Sequence, residues 1–367
     1  MKLIYFAHIR LPTERAHGVQ IMKMCEAFAE QGAEVELVVP NRYSAITEDS
    51  FAYYAVKPIF TITRIGGLGR SSGRLAYTWS LITFMIRAAL YARKKKPEVI
   101  YGRDEGLLFF LSFFYRNLVW EAHGWKGNRR VARLLKKLDY IIVITEAAKR
   151  RFAASGVNVS KMLVAPDGID DSFFQDKAGL SQARERFNIS RDGCVAMYVG
   201  LLDAWKGYQT LIDAAPRLKE QGIRVVIAGG VEAQVRPLRK QYPDITFLGL
   251  TPYKVLPVLQ AAADVLVVPN SARSVVSSEY TSPLKVFAHM ASGRPLVVSD
   301  LPSLREVLDE DIAYFFTPDS PDSLAKTIGH AIASPGEARE KARKALIKAT
   351  DYTWEKRARN ILAFIHA

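Results

Sequence analysis

Short apolar runs alternate with stretches of helical periodicity from one end of this 367-residue chain to the other, and that alternation limits its fold most. Lys2 to Ala7 reads as a buried strand. Gly18 to Gln31 carries apolar residues at helical spacing (Val19, Met22, Cys25, Ala29) and ends at Gly32, and Val35 to Val39 reads as a second strand. Strand, helix, strand in that order predicts a parallel sheet with right-handed crossovers. Further strands are expected at Glu98 to Tyr101, Leu118 to Ala122, Tyr140 to Thr145 and Met162 to Ala165. A polar stretch runs to about Asn188, and Cys194 to Gly200 then starts the pattern afresh. It continues through Arg224 to Ala228, Ile245 to Leu248, Val265 to Val268, Leu296 to Val298 and Ala313 to Phe316. The length suits two α/β domains. Ligands of such sheets sit at the carboxyl ends of the strands. Attention therefore falls on His17 and Gly18, Arg103, His123, Lys206, Gly230 and Pro269-Asn270.

Composition closes off several classes. With 49% hydrophobic residues the chain can bury substantial cores. Cys25 and Cys194 are far apart and lack metal-ligand spacing, which fits a reducing compartment and no disulfide scaffold. Met1 to Ile9 runs straight into a strand pattern, so no signal peptide is expected. Leu75 to Ala92 is interrupted by Arg87, and Leu107 to Tyr115 is short, so neither is expected to cross a bilayer. The net charge of +14 is uneven: residues 1–180 hold 27 Lys+Arg against 17 Asp+Glu, and the remainder 24 against 20. A basic first half suggests an anionic partner, and a generic basic face accounts for the same count. The long helix expected over Leu75 to Lys96 ends in Arg93 to Lys96. With the nearby FFLSFFYR it suggests contact with anionic lipid, while helix-dipole complementarity explains the basic end alone. Arg64 to Arg74 (RIGGLGRSSGR) reads as a flexible connector or an acceptor-ordering loop, and no Walker A or G-x-G-x-x-G fingerprint is present.

Ser277 to Asp300 (SSEYTSPLKVFAHMASGRPLVVSD) concentrates the chemistry. Ser282 suits an N-cap, Pro283 the first helical position, and Leu284, Phe287 and Ala291 recur at helical spacing up to Gly293. A helix start after a polar loop offers unpaired N–H groups and partial positive charge to an anion. An ordinary capped helix meets the same spacing.

The run SPLKVF–HMASGRPLVVSD closely resembles the donor-binding segment of the family-four nucleotide-sugar glycosyltransferases. ERAHGVQIMKMCEAFAEQG, APDGIDDSFF and YVGLLDAWKGYQTLIDAAPRL resemble the same family, so the likeness covers essentially the whole chain. It implies an α/β protein of GT-B fold, with two Rossmann-like, doubly wound domains facing across a cleft. Residues 1–175 would form the acceptor-binding domain, with a C-terminal helix at 352–367 packing back on it, and residues 176–351 the donor-binding domain. It also implies retention of configuration. In the family a histidine at the place of His123 contacts the donor sugar. Lys206, Ser282, Pro283, Leu284, Gly18 and Gly230 would surround the donor, and His17 and Arg103 the acceptor. The family's arginine after the strand glycine is replaced by Leu201. The ribose-holding glutamate of its Glu-x7-Glu pattern falls on Ala288, and the first glutamate on Tyr280, with Glu279 one residue out of register. Position 288 is thus either a natural divergence, with another group holding the ribose, or a disabling Glu→Ala change.

The expected activity is sugar transfer from a nucleoside diphosphate donor to a glycan or lipid-linked acceptor, as in bacterial polysaccharide biosynthesis. No cofactor, metal or nucleic acid is expected. The expected location is cytoplasmic, resting at the inner face of the membrane. A non-catalytic nucleotide-sugar-binding or scaffold protein of the same fold is the main rival. A nucleotide-sugar epimerase would need further acid–base carboxylates, and a nucleic-acid binder would show a motif that is absent.

Overall fold

The computed structural model describes residues 1–66, 74–124, 129–175, 179–280 and 284–366. The chain forms two compact units, one of Met1–Pro166 with Trp354–Ala367, the other of Asp167–Thr353.

The first unit runs β1 (Lys2–Phe6), α1 (Ala16–Glu30), β2 (Glu34–Val39), α2 (Ser50–Tyr54), β3 (Thr61–Arg64), α3 (Arg74–Lys95), β4 (Val99–Gly102), α4 (Glu105–Leu111), β5 (Leu118–Ala122), α5 (Arg129–Lys137), β6 (Tyr140–Val143), α6 (Glu146–Ala154) and β7 (Met162–Val164). Its strands pair in parallel in the order β3-β2-β1-β4-β5-β6-β7. Successive side chains of a strand point to opposite faces. Tyr5 accordingly meets Tyr101 on one face of the sheet, where Phe28 of α1 also packs, while Phe6 meets Phe84 of α3. A short edge strand escaped the sequence reading: β3 is half exposed and has no apolar run, and only its pairing with Glu36 to Val39 defines it.

The second unit contains α7 (Leu180–Arg186), β8 (Cys194–Val199), α8 (Tyr208–Glu220), β9 (Ile223–Ala228), α9 (Glu232–Gln241), β10 (Thr246–Gly249), α10 (Leu256–Ala261), β11 (Val265–Val268), α11 (Leu284–Ala291), β12 (Leu296–Ser299), α12 (Pro302–Arg305), β13 (Tyr314–Phe316), α13 (Pro321–Ala333) and α14 (Pro335–Ala349). Its parallel sheet has the order β10-β9-β8-β11-β12-β13. Val195, Met197 and Val199 pack with Val286 and Phe287 of α11 on one face; Ala196 and Tyr198 pack with Leu211 of α8 and Ile328 of α13 on the other. Helices therefore cover both faces, which explains the unbroken apolar runs. Each unit is Rossmann-like.

The division between units falls at Pro166 and Asp167, ahead of the position read from the sequence. The reason is local. Ile169 N–H donates to the Tyr352 carbonyl at 2.8 Å, the Tyr253 hydroxyl donates to Asp170, and Phe173 is buried in the second unit's core. The last helix, α15 (Trp354–His366), belongs to the first unit. Arg357 anchors it, its Nε donating to the carbonyls of Ala165 (3.2 Å) and Pro166 (2.9 Å) just beyond β7.

Candidate functional site

Each sheet has a switch point, where neighbouring strands connect in opposite directions and leave a crevice at their carboxyl ends. In the second unit it lies between β8 and β11. The loop after β8 makes one turn over Ala204–Lys206, and Gly207 then opens α8. Gly207 has φ +67, and a Cβ there would stand 1.7 Å from the Pro269 carbonyl oxygen. Only glycine fits, so the loop is pressed against the end of β11. This holds Lys206 at the crevice, with its Nζ 2.9 Å from Asp203 Oδ2 and 5.2 Å from the Trp205 ring centre.

A second ammonium group lies in the same place. Lys285, on the first turn of α11, has its Nζ 4.7 Å from the Tyr198 ring centre. That atom is shut off from solvent and has no hydrogen-bond partner among the described residues. Burial, and then repulsion from Lys206, push its pKa well below that of an ordinary lysine, and Asp203 offsets this only in part. Asp203 pairs with Lys206 and only weakly offsets the charge at Lys285. Asn270, at the end of β11, is buried with both amide atoms unpartnered among the described residues. The arrangement is short of an anion. Asn270 lies where the sequence placed Pro269-Asn270, at the carboxyl end of β11, whereas Lys285 was not singled out, although a lysine inside an apolar helix run was a visible signal.

The expected donor-binding residues land unevenly. Leu284 begins α11, while Ser282 and Pro283 lie outside the described residues. Ala288 is 5% exposed, one turn on from Lys285 and so on the same side of the helix. Gly230 is explained by packing, since a Cβ there would meet Leu202 at 2.6 Å. The polar segment before α11, read as a loop, contains a five-residue π-helical turn at Val276–Tyr280.

Beneath Ala288, His289 is fully buried, its Nδ1 3.2 Å from Gln260 Nε2. Burial, with a smaller contribution from Lys285, lowers its pKa to about 3. The folded ring therefore stays neutral at a pH where the unfolded ring, near about 6.5, has taken a proton. This contribution to stability is complete above about pH 6.5 and is lost as pH falls from there towards 3. Between pH 7.5 and 5 the loss is about 2 kcal/mol. Urea midpoints of the chain and of His289→Leu, measured at both pH values, should converge towards pH 5. Parallel lines would remove His289 from the account.

The first unit has its own constellation. Glu121, in β5, is 0% exposed. It accepts hydrogen bonds from Gln20 Nε2 and the Tyr101 hydroxyl, both at 2.5 Å, and its Oε1 lies 2.5 Å from His123 Nε2. Arg357 Nη2 stands 3.4 Å from Glu121 Oε1. Burial alone would push this carboxyl's pKa up. Arg357, the His123 hydrogen bond and Arg103 outweigh it, and the group stays ionised well below the usual carboxylate range. Arg103 Nη1 donates to Gln20 Oε1 at 2.8 Å and so joins the network. His17, at the start of α1, is pushed down to about 4, first by burial and then by Arg103, Arg15 and His123. The structure thus brings His17, Arg103 and His123 together at the carboxyl ends of β4 and β5 and the start of α1. Gly18 is packed against protein: a Cβ would fall 2.3 Å from the Tyr54 hydroxyl.

Glu121, Gln20 and Arg357 were not anticipated as site residues. The first had a signal. A glutamate inside the apolar run LVWEA, two residues before His123, shares its face by strand periodicity.

Comparison with known proteins places both halves of the chain among glycosyltransferases. Residues 17–173 match the model described as Glycosyltransferase Family 4, and residues 193–334 the model described as Glycosyl transferases group 1. A D-inositol 3-phosphate glycosyltransferase of Xylanimonas cellulosilytica is 24% identical over 61% of this chain and 56% of its own length. An uncharacterized glycosyltransferase of Methanocaldococcus jannaschii is 28% identical over 42% of this chain and 39% of its own. The matched chain thus spans about half the length of these curated relatives or less. Among solved structures, HepE of Anabaena in complex with UDP and glucose superposes with TM-score 0.78 at 15% identity, covering 100% of both chains. A sucrose-phosphate synthase of Thermosynechococcus elongatus gives 0.79 at 18%, covering 100% of this chain and 98% of its own. These two likenesses concern the fold alone, which is GT-B.

Proposed function

We propose that the chain, whose two halves match glycosyltransferase models, is a family-four glycosyltransferase that moves a sugar from a nucleoside diphosphate donor to a glycan or lipid-linked acceptor, with retention. The observation that carries this reading is the pair Lys206 and Lys285 at the β8–β11 switch point, the first paired with Asp203 and the second buried without a hydrogen-bond partner among the described residues. A diphosphate supplies the missing negative charge. Lysine ammonium groups and the amides of the α11 start can hold it without a metal ion. As the sugar leaves, charge builds on the diphosphate oxygens, and preorganised cations favour that state over the ground state. His123, oriented by Glu121, is assigned to the donor sugar, and His17 with Arg103 to the acceptor.

Ala288 lacks the carboxylate that would take the ribose hydroxyls. Bonds from hydroxyls to a charged group are worth roughly 1.5–3 kcal/mol, about ten- to a hundredfold in affinity. Ala288→Glu should therefore enlarge the thermal shift produced by one nucleoside diphosphate among UDP, GDP and ADP, and titration calorimetry should show the affinity gain. No gain would mean that another group already holds the ribose, and the disabled-residue reading would fall. Stabilisation of the unaltered chain by a donor sugar without any turnover would favour the rival, a binding or scaffold protein of the same fold.

A further inference from the structure

α3 is apolar on two opposite sides. Ser80, Phe84, Ala88 and Ala92 are buried against the first unit. At about 100° per residue, Trp79, Ile82, Ile86 and Leu90 form a stripe centred on the other side of the helix. They are large, and between 43 and 64% exposed. Phe113 and Phe114, exposed to the same degree, follow α4. The two patches are joined, because the Tyr115 hydroxyl donates to the Ala89 carbonyl at 2.6 Å. An ordinary surface helix is polar on the side away from the core, so this stripe needs a partner.

The charge of the sequence that carries it says which. Between Arg74 and Lys137 the sequence holds 14 Lys+Arg against 4 Asp+Glu, a surplus as large as that of the whole first 180 residues. Arg93, Lys94, Lys96, Arg116 and Lys136 are exposed at the ends of α3 and α5 and beside Phe114. Lys137 stands over the Phe113 ring, its Nζ 3.6 Å from the centre. Lys95 is engaged with Glu36 at 3.2 Å.

We infer that α3 and the Phe113–Phe114 corner form a docking surface for an anionic lipid bilayer, the apolar stripe entering the headgroup boundary and the surrounding lysines and arginines meeting the phosphates. A soluble polyanion would satisfy the cations and leave Trp79, Ile86 and Leu90 in water. A second copy of the chain would bury the stripe and set the same cations against each other. Among the described residues no helix is long and apolar enough to cross a membrane. The chain lies on the bilayer.

Flotation with phosphatidylcholine vesicles, with and without phosphatidylglycerol, tests this. The full chain floats with the anionic vesicles only, and added salt releases part of it. Neutralising Arg93, Lys94 and Lys96 to glutamine together weakens binding roughly a hundredfold, at about a fivefold loss per cation. Ile86→Glu with Leu90→Glu abolishes flotation although every cation remains, which a purely electrostatic surface would not do. Unchanged circular dichroism shows that the exposed substitutions leave the fold intact. Equal flotation with neutral vesicles, no flotation at all, or a dimer that Leu90→Glu dissociates would each overturn the inference.

Discussion

Lys206→Ala is expected to lower sugar-transfer turnover by about 10²- to 10³-fold, the usual cost of removing one preorganised donor from a developing anion. The side chain earns that expectation by how it is held. Gly207 presses the loop on β11, and Asp203 and the Trp205 ring fix the ammonium group. Little reorganisation is left for the moment of reaction. Lys285 should behave differently, because its ammonium group has no partner among the described residues until the anion arrives. Lys285→Met keeps roughly the volume and removes a buried amine that has no hydrogen-bond partner among the described residues and that burial drives towards its neutral form. The ligand-free chain should therefore become more stable while the donor-induced thermal shift shrinks. Opposite signs for ligand-free and donor-bound stability are hard to obtain from a merely structural lysine. Unchanged turnover in Lys206→Ala, with an unchanged donor-induced shift in Lys285→Met, would remove the diphosphate from this crevice.

Arg357→Ala should be the most damaging single change to the fold, costing about 3–5 kcal/mol because it leaves the buried Glu121 carboxylate undercompensated. At about 2–4 °C per kcal/mol for a unit of this size, Tm falls by roughly 6–20 °C. The pH dependence gives the check its sign. Glu121 is held below its unfolded pKa, so its contribution is present above about pH 4.3 and is lost as acid protonates the folded carboxyl. Removing Arg357 raises that pKa, and the acid limb of the stability curve should move to higher pH. A variant that melts like the unaltered chain and keeps the same acid limb would show that Gln20, Tyr101 and His123 suffice to hold the charge.

The two kinds of residue differ in how visible they were. Strands β5 and β11 were readable to the residue, because a strand buried on both faces writes itself as an unbroken apolar run. Gly207 and Lys206 could be placed at a helix start by local chemistry. Edge strand β3 and the π-helical turn at Val276–Tyr280 were missed, since neither has a periodicity of its own. Glu121 was passed over for a related reason: inside a strand a single polar residue is ambiguous until its partners are known.

The sequence by itself determined the βαβ pattern and parallel strands of both halves, the likeness to glycosyltransferases, the Lys206–Gly207 helix start and the alanine at position 288. Each is written in local runs of residues, within one strand, one helix or one turn at a time, repeated along the chain. Tertiary structure decided the rest. Arg357 reaches Glu121 across 236 positions of chain, and Lys285 faces Tyr198 and Lys206 from a different αβ unit. It also decided that α3 turns one apolar side to solvent, since periodicity reveals that a helix has two apolar sides but only packing shows which is covered. Pairings of that kind depend on strand order, and strand order is fixed by burial of the whole sheet, which no local window of sequence contains.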